Sequence, residues 1–292
     1  MRLSIAMLIL MGWGTHSAAH TPAGFEAFAA GIPSDKLAQI QFDGDISDWA
    51  WMPDTFTWTM SSPWPGVVSD GVSSGSTPRD DFDVLFFVAW SPETNMLYHV
   101  GRIIDDLQFS RAEDYSVSFA EDNYMWLLDA NHSADPDYAQ EGNDSRGAQQ
   151  FGWTPDEKIV VFWQIEGFGV EPGPLKWVTD EPQMFQAGET IDNDWTFEIA
   201  QITYDELSFD GPEASAVHTL TAGEVIGLGM TIEDQDTEDP KDEVAWRLGD
   251  LATQGENASD LLLVSVADTE AEIPTAVEAR TWGRIKAAFS SE

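Results

Sequence analysis

Two apolar, aromatic-rich runs on either side of a short turn constrain this chain more than any other feature. The runs are 84–90 (VLFFVAW) and 95–100 (NMLYHV), and the turn between them, 91–94 (SPET), contains a proline. Such a pattern is typical of a β-hairpin. Because similar short runs recur along the chain, we expect a protein built mainly from β-strands.

Nine segments carry the strand pattern, and clusters of Gly, Pro, Asp and Ser separate them: 38–43, 55–60, 82–90, 95–104, 122–129, 158–165, 194–200, 224–232 and 260–266. One later window, near 280–289, has helical periodicity, with three apolar side chains on one face. The sequence therefore predicts an all-β fold: an antiparallel, jelly-roll-like β-sandwich with a short C-terminal helix. We expect a single domain over 39–292, preceded by a lead-in over 20–38.

The first nineteen residues have the pattern of a signal peptide. Arg2 precedes an apolar run, and small residues at 17–19 suit a cleavage site. No later run approaches the ~20 apolar residues that span a bilayer. We therefore expect a bacterial protein that is secreted, periplasmic or at the cell surface, without membrane insertion.

The chain is strongly acidic, with 52 Asp and Glu against 13 Lys and Arg and a formal net charge of −39. Such a surface repels the phosphates of nucleic acids and anionic membranes, which argues against both as partners. Two readings of the acidity stay open: a hydrated surface suited to salty surroundings, and carboxylates that converge on divalent cations. The sequence has no cysteine, which excludes disulfides and thiolate metal sites.

Several short motifs appear in a characteristic order. They are FDGxIxDW (42–49), VxW…LY (88–98), paired acids at 105–106, DNYxWLLDANHS (122–133), WTFEIA (195–200), AGEVIGL (222–228), DQD (234–236) and TWGRIK (281–286). In this order the chain resembles the family 9 carbohydrate-binding modules of exported bacterial proteins. The resemblance implies a sugar-binding β-sandwich, often with structural calcium, that accompanies polysaccharide-degrading enzymes. The chain departs from the family's DADHSGG loop at Asn131 and at 134–135.

Two oxygen-rich segments are candidate calcium sites. The first lies where a strand is predicted to end, and the second surrounds the DQD motif. Calcium is bound by six to eight oxygen ligands from carboxylates, amides and carbonyls, and both segments offer several. The alternative is that these side chains cap their own turns. The predicted metal ligands are Asp129, Asn131, Asp135, Asp234 and Asp236.

Sugar binding calls for exposed indole rings beside polar side chains. Tryptophans predicted to lie in loops are better candidates than Trp49, Trp90, Trp126 and Trp195, which fall in strand patterns and are expected in the core. Asp105 and Asp106 are adjacent at a predicted strand end, so their side chains point to opposite faces of the sheet and only one of them can face a given site. The predicted ligand-binding residues are Trp64, Trp153, Trp177, Asp105 and Asp106.

The resulting prediction is non-catalytic binding of a polysaccharide or oligosaccharide, with calcium as a stabilising ion. Two alternatives stay open. One is a haem-binding electron-transfer domain, in which His99 or His132 would pair with one of the methionines at 125, 184 and 230. The other is a calcium-dependent adhesive or structural surface protein. With 52 acidic residues, a carboxylate pair at glycosidase spacing arises by chance, so acidity does not indicate catalysis.

Overall fold

The computed structural model describes residues 26–59, 67–69, 82–110, 121–132, 148–162, 176–208, 210–237, 243–248 and 259–272. The strands are β1 (Glu26–Gly31), β2 (Trp58–Thr59), β3 (Val67–Ser69), β4 (Phe82–Ser91), β5 (Met96–Asp105), β6 (Asn123–Asp129), β7 (Ala148–Trp153), β8 (Val160–Phe162), β9 (Met184–Ile191), β10 (Asp194–Ile202), β11 (Tyr204–Glu206), β12 (Ala216–Val217), β13 (Val225–Gln235), β14 (Glu243–Leu248) and β15 (Ser259–Leu263). The helices are α1 (Ser34–Leu37) and α2 (Val266–Glu272). No helix within these ranges is long and apolar enough to span a bilayer.

Thirteen strands form one curled sheet in the order β8-β7-β6-β13-β15-β1-β4-β5-β10-β9, with β14 beside β13, β3 beside β14 and β2 beside β4. The sheet folds back on itself, so that β6, β7 and β13 face β4, β5 and β10. Across this interior, Tyr124 of β6 stacks on Phe197 of β10 with ring centroids 4.5 Å apart. The predicted fold class, an all-β sandwich with a short C-terminal helix, is confirmed, and a short helix, α2, follows β15. The window near 280–289 lies outside the described residues.

Strands β4, β5 and β10 are buried on both faces, which explains the unbroken apolar run in β4. Alternate residues such as Phe86 and Val88 face the interior of the sandwich, whereas Leu85 and Phe87 belong to a second cluster on the outer face. This outer cluster includes Trp49, Met52 and Phe56 from the segment before β2. Residues 32–56 therefore cover the sheet as a third layer.

The lead-in predicted over 20–38 contains a strand that the sequence pattern did not indicate. In β1, Ala27, Ala29 and Ala30 are fully buried, and β1 pairs in parallel with both β15 and β4. Ala29 belongs to the interior cluster and Ala30 to the outer cluster, so both faces of β1 are covered and its sequence shows no alternation of polar side chains. The strand predicted over 38–43 is wrong, because that segment follows α1 and packs on the outer face.

The FDGxIxDW motif is held in place by one buried carboxylate. Glu198 of β10 is fully buried and accepts hydrogen bonds from Trp49 Nε1 (2.7 Å), the Gly44 amide (3.0 Å) and the Asp43 amide (3.3 Å). Gly44 has a φ of 88°, and a Cβ there would lie 2.8 Å from the Gly188 backbone. The motif thus combines a glycine turn with an indole donor, and both meet Glu198.

Replacement of this carboxylate tests how much the third layer depends on it. We expect Glu198→Gln to lower the free energy of unfolding by about 1–3 kcal/mol, because its amide NH₂ would face the Gly44 and Asp43 N–H groups. Glu189→Gln, at an exposed position on the neighbouring β9, is the matched control and should change it by less than about 0.5 kcal/mol. Urea denaturation of both variants measures the difference, and equal losses would contradict the assignment.

The effect of Glu198→Gln should also depend on pH. Burial raises the pKa of Glu198 from 4.5 to about 7, against the lowering effect of hydrogen bonds from Trp49 and Gly44. A carboxyl group whose pKa is higher in the folded state costs the wild type stability as pH rises from 4.5 to 7. Glutamine does not titrate, so the loss caused by the variant should be largest at low pH and shrink across this window.

Candidate functional site

Three carboxylates from separate parts of the chain meet at one end of the sandwich, which we call the acidic end. Asp105 is the last residue of β5, Asp122 immediately precedes β6, and Asp234 lies near the end of β13. The antiparallel register brings them together, because Asn123 pairs with Glu233 across β6 and β13. Each of the three is at least 95% buried. One oxygen from each carboxylate lies within 4.8 Å of the other two.

Backbone amides fix the orientation of these carboxylates. Asp122 accepts hydrogen bonds from the Phe109 amide (2.6 Å) and from the Gln235 amide (2.9 Å). Asp105 Oδ1 accepts one from the Leu107 amide (2.8 Å). Asp105 Oδ2 is buried and accepts no well-formed hydrogen bond from any residue that the structure describes. The loops that follow β5 and precede β6 therefore aim the carboxylates at a common point.

Burial and mutual repulsion disfavour charge at the acidic end. Burial, with a smaller contribution from the nearby Asp236, raises the pKa of Asp105 to about 6. Burial raises the pKa of Asp122 to about 10, with added repulsion from Asp105 and Asp234. No described basic side chain forms an ion pair with Asp105 or Asp122. A divalent cation would relieve this strain by neutralising the clustered charge.

The donor set fits a hard cation. Calcium and magnesium prefer carboxylate and carbonyl oxygens, and the acidic end offers carboxylates from three segments. Asp236, which is half-buried, lies close enough to raise the pKa of Asp105. Asp105, Asp122 and Asp234 are thus the residues that can hold a calcium ion, with Asp236 beside them.

The predicted metal ligands lie at two opposite ends of the molecule. Asp234 and Asp236 are at the acidic end, whereas Asp129 pairs with Gly227 at the far end of the same two strands. Gly227 and Asp234 are seven residue steps apart along β13, which corresponds to roughly 23 Å. Asn131 is exposed and donates to the Asp205 carbonyl at 3.2 Å. Asp135 lies outside the described residues.

Asp122 was missed because its partners are distant in sequence. It opens the DNYxWLLD motif, whereas the ligands predicted near this motif, Asp129 and Asn131, lie at or after its other end. The signal was present in the strand pattern. If β6 pairs antiparallel with β13, the start of β6 meets the end of β13, where Asp234 lies.

Trp153 was predicted as a sugar-binding indole, and this prediction is wrong. The side chain is fully buried and stacks on Trp195 with ring centroids 5.5 Å apart. A Cβ at Gly188 would lie 2.4 Å from Trp153 Cζ2, so the ring fills space that only a glycine leaves. Trp153 shares the inward face of β7 with Phe151, which gives it a core role.

The remaining predicted ligand-binding residues are dispersed. Trp64 lies outside the described residues. Asp105 belongs to the carboxylate cluster, and the adjacent Asp106 is exposed. Trp177 is half-buried in the 3₁₀ turn Lys176–Thr179 and meets the ring of Tyr204 edge-on, with centroids 5.5 Å apart. Trp51 is the other half-buried tryptophan among the described residues, and it stacks on Trp49 in the third layer.

Trp177 and the acidic end lie at opposite ends of the sandwich. Tyr204, its partner, follows the end of β10, whereas the start of β10 at Trp195 pairs with Ile103 close to Asp105. We call the end that contains Trp177 and Tyr204 the Trp177 end. An indole available to a ligand is thus separated from the carboxylates that suit a cation.

The histidines named for haem binding contact protein groups. His99 is fully buried, its Nδ1 lies 2.7 Å from the Tyr124 hydroxyl, and its ring packs 5.2 Å from Trp126. His132 Nε2 lies 3.1 Å from Asp260 Oδ1. Among the three methionines, those at 184 and 230 are within the core. Haem binding stays an untested prediction.

Comparison with known proteins finds likeness in structure. A family 9 carbohydrate-binding module from Caldicellulosiruptor kristjanssonii in complex with glucose matches with a TM-score of 0.50 and 11% identity, over 82% of this chain and 96% of that one. The likeness is one of fold. A module of the same family and organism in complex with cellotriose matches with a TM-score of 0.49 and 10% identity, over 82% and 94%. The chain matches no protein-family model and no curated protein.

Proposed function

We propose that this protein is a non-catalytic carbohydrate-binding module. The observation that carries the proposal is the shared fold with a family 9 module whose structure contains glucose, over 96% of that module's length. The ordered motifs of the sequence add support, because the FDGxIxDW and WTFEIA segments meet in the structure through Trp49 and Glu198. The ligand class is a soluble oligosaccharide or the accessible part of a polysaccharide.

Trp177 is the indole best placed to contact a sugar ring among the described residues. Its ring is half-buried, and the edge-on contact with Tyr204 fixes its orientation. A flat aromatic ring can pack against the C–H face of a pyranose, and ordered tryptophans of this kind tend to dominate binding energy.

The test is isothermal titration calorimetry against glucose and a panel of soluble oligosaccharides. We expect the wild type to bind at least one member and Trp177→Ala to lose affinity by about tenfold or more, which equals about 1.4 kcal/mol or more. Trp51→Ala, which removes the other half-buried described indole, is the matched control and should retain affinity. Absence of heat with every sugar would contradict the proposed function, and equal losses for the two variants would contradict the role of Trp177.

We further propose that a calcium ion stabilises the module at Asp105, Asp122 and Asp234. The support is the convergence of three buried carboxylates, two of which, Asp105 and Asp122, have their charged forms disfavoured by burial. Calcium at this end would act on stability, because Trp177 lies at the other end of the strands. Export of the protein, as expected from the leader pattern of 1–19, belongs to the same proposal.

A further inference from the structure

Four polar side chains at the Trp177 end each have a buried atom without a hydrogen-bond partner. Within the part of the chain that the structure describes, these atoms are Gln149 Oε1, Gln201 Nε2, the Tyr204 hydroxyl and Trp177 Nε1. Gln149 is 0% exposed, and Gln201 and Tyr204 are each 1% exposed. An unpaired buried polar group costs about 1–3 kcal/mol, so each of these atoms favours a hydrogen-bonding partner.

Contacts between these residues place them in one region. Gln149 Nε2 donates to the Tyr204 carbonyl at 2.9 Å, and Tyr204 in turn meets the ring of Trp177. Gln201 Oε1 accepts from Trp126 Nε1 at 3.1 Å across the two layers. Gln149 shares its strand face with Phe151, which stacks on the same Trp126 ring at 5.0 Å. The polar atoms therefore lie where the interior of the sandwich approaches Trp177.

The known bonds define which hydrogen-bonding role each atom offers. Because Gln149 donates through Nε2, its free Oε1 is an acceptor, and because Gln201 accepts through Oε1, its free Nε2 is a donor. Burial raises the pKa of Tyr204 to about 12, so its neutral hydroxyl both donates and accepts. Trp177 Nε1 is a donor.

This mixture of neutral donors and acceptors matches hydroxyl groups. A hydroxyl group donates one hydrogen bond and accepts two, so it pairs equally well with an amide oxygen, an amide NH₂ and a phenol. None of the four side chains carries a charge at neutral pH, which disfavours a bound ion. A specific polar site of this kind discriminates strongly, because the partner atoms stay unpaired when the ligand lacks its hydroxyl.

We propose that Gln149, Gln201 and Tyr204 form a polar subsite behind Trp177 that receives the hydroxyl groups of a neutral sugar. This inference rests on the proposed function and names the polar determinants of the same site. Trp177 supplies the apolar surface, and the three buried side chains supply the hydrogen bonds that set specificity. The sequence pattern gave no indication of them, because polar residues on inward strand faces at 149 and 201 cannot be distinguished from surface residues without the register.

Tyr204→Phe is the sharpest test, because it removes only the unpaired hydroxyl. We expect the variant to keep or gain stability in the absence of sugar and to bind sugar about threefold to tenfold more weakly in titration calorimetry. Gln149→Met should also weaken binding. The matched control is Tyr98→Phe, which removes a hydroxyl that contacts Thr94 Oγ1 at 2.9 Å in the outer cluster. It should lose some stability and keep its affinity.

The outcomes separate the two proposals. If the wild type binds a sugar and Tyr204→Phe binds it equally well, the subsite is overturned, and the polar atoms are paired by buried water only. A marked loss of stability in sugar-free Tyr204→Phe would overturn it as well, because the hydroxyl would then have a partner in the unliganded protein. If the wild type binds no sugar of the panel, the proposed function and the subsite fall together.

Discussion

Calcium is expected to raise the midpoint of thermal unfolding of the chelated protein by about 5–11 °C when free calcium exceeds its dissociation constant a hundredfold. A ligand at that concentration that binds only the folded state adds about 2.7 kcal/mol, and 1 kcal/mol corresponds to about 2–4 °C for a chain of this size. The physical source is the buried cluster of Asp105, Asp122 and Asp234, in which burial disfavours the charged forms of Asp105 and Asp122. Thermal melts in EDTA and in graded calcium measure the effect.

Asp122→Asn tests the site both with and without calcium. With calcium the variant should be clearly less stable than the wild type, because it removes a charged ligand. In EDTA its deficit should be smaller, because the lost repulsion from Asp105 and Asp234 offsets the cost of an amide NH₂ that faces the Phe109 or Gln235 N–H group. Asp106→Asn, at the exposed neighbouring position, should leave the calcium response unchanged. An identical calcium response in wild type and Asp122→Asn would rule out the site.

The second large predicted effect is a loss of stability at acidic pH. Between about pH 7 and pH 4, His99 should cost the wild type about 3 kcal/mol of unfolding free energy. Burial lowers the pKa of His99 from 6.5 to about 3. A histidine whose pKa is lower in the folded state contributes full stability above pH 6.5 and loses it progressively as pH falls toward 3, because the unfolded chain takes up the proton first.

His99→Gln isolates this contribution. The variant is expected to be less stable at neutral pH, because it removes the ring between Tyr124 and Trp126. The informative quantity is the change in unfolding free energy between the two pH values, which should be about 3 kcal/mol smaller in the variant. The raised pKa values of Glu198 and of the acidic end increase the unfolding free energy as pH falls. This increase is common to the wild type and the variant, so it cancels in the comparison. Equal changes by urea denaturation in EDTA would contradict the assignment.

The strands with the clearest apolar patterns were predicted closely. The predicted 82–90 and 95–104 correspond to β4 and β5, and 122–129 corresponds to β6. Nearly all side chains of these strands are buried, so their apolar composition indicates their structure directly. β9 was missed because its residues mix apolar, polar and glycine positions and are mostly half-buried or exposed, so its strand conformation depends on pairing with β10.

The residue types of the site could be predicted from the sequence, but which of these residues lie close together could not. Asp105 and Asp234 were both singled out, but they were assigned to a sugar site and to a separate metal site. Their proximity depends on how β5 and β13 are arranged in the sheet, which no local pattern encodes. Trp153 shows the converse error: loop-like neighbours suggested exposure, whereas its register places it against Gly188 in the core.

The position of β1 affects the order in which the sheet can form during folding. β1 joins the two halves of the sheet through parallel pairing with β4 and with β15. Its last residue, Gly31, donates its backbone N–H to Thr269 Oγ1, and Thr269 lies 238 residues later in the sequence. An early-synthesised strand must therefore wait for nearly the whole polypeptide before its second edge is covered. Contacts of such sequence separation make folding slow, and an uncovered edge invites pairing between molecules. A chaperone that shields this strand would be most useful during synthesis, before β15 is available for pairing.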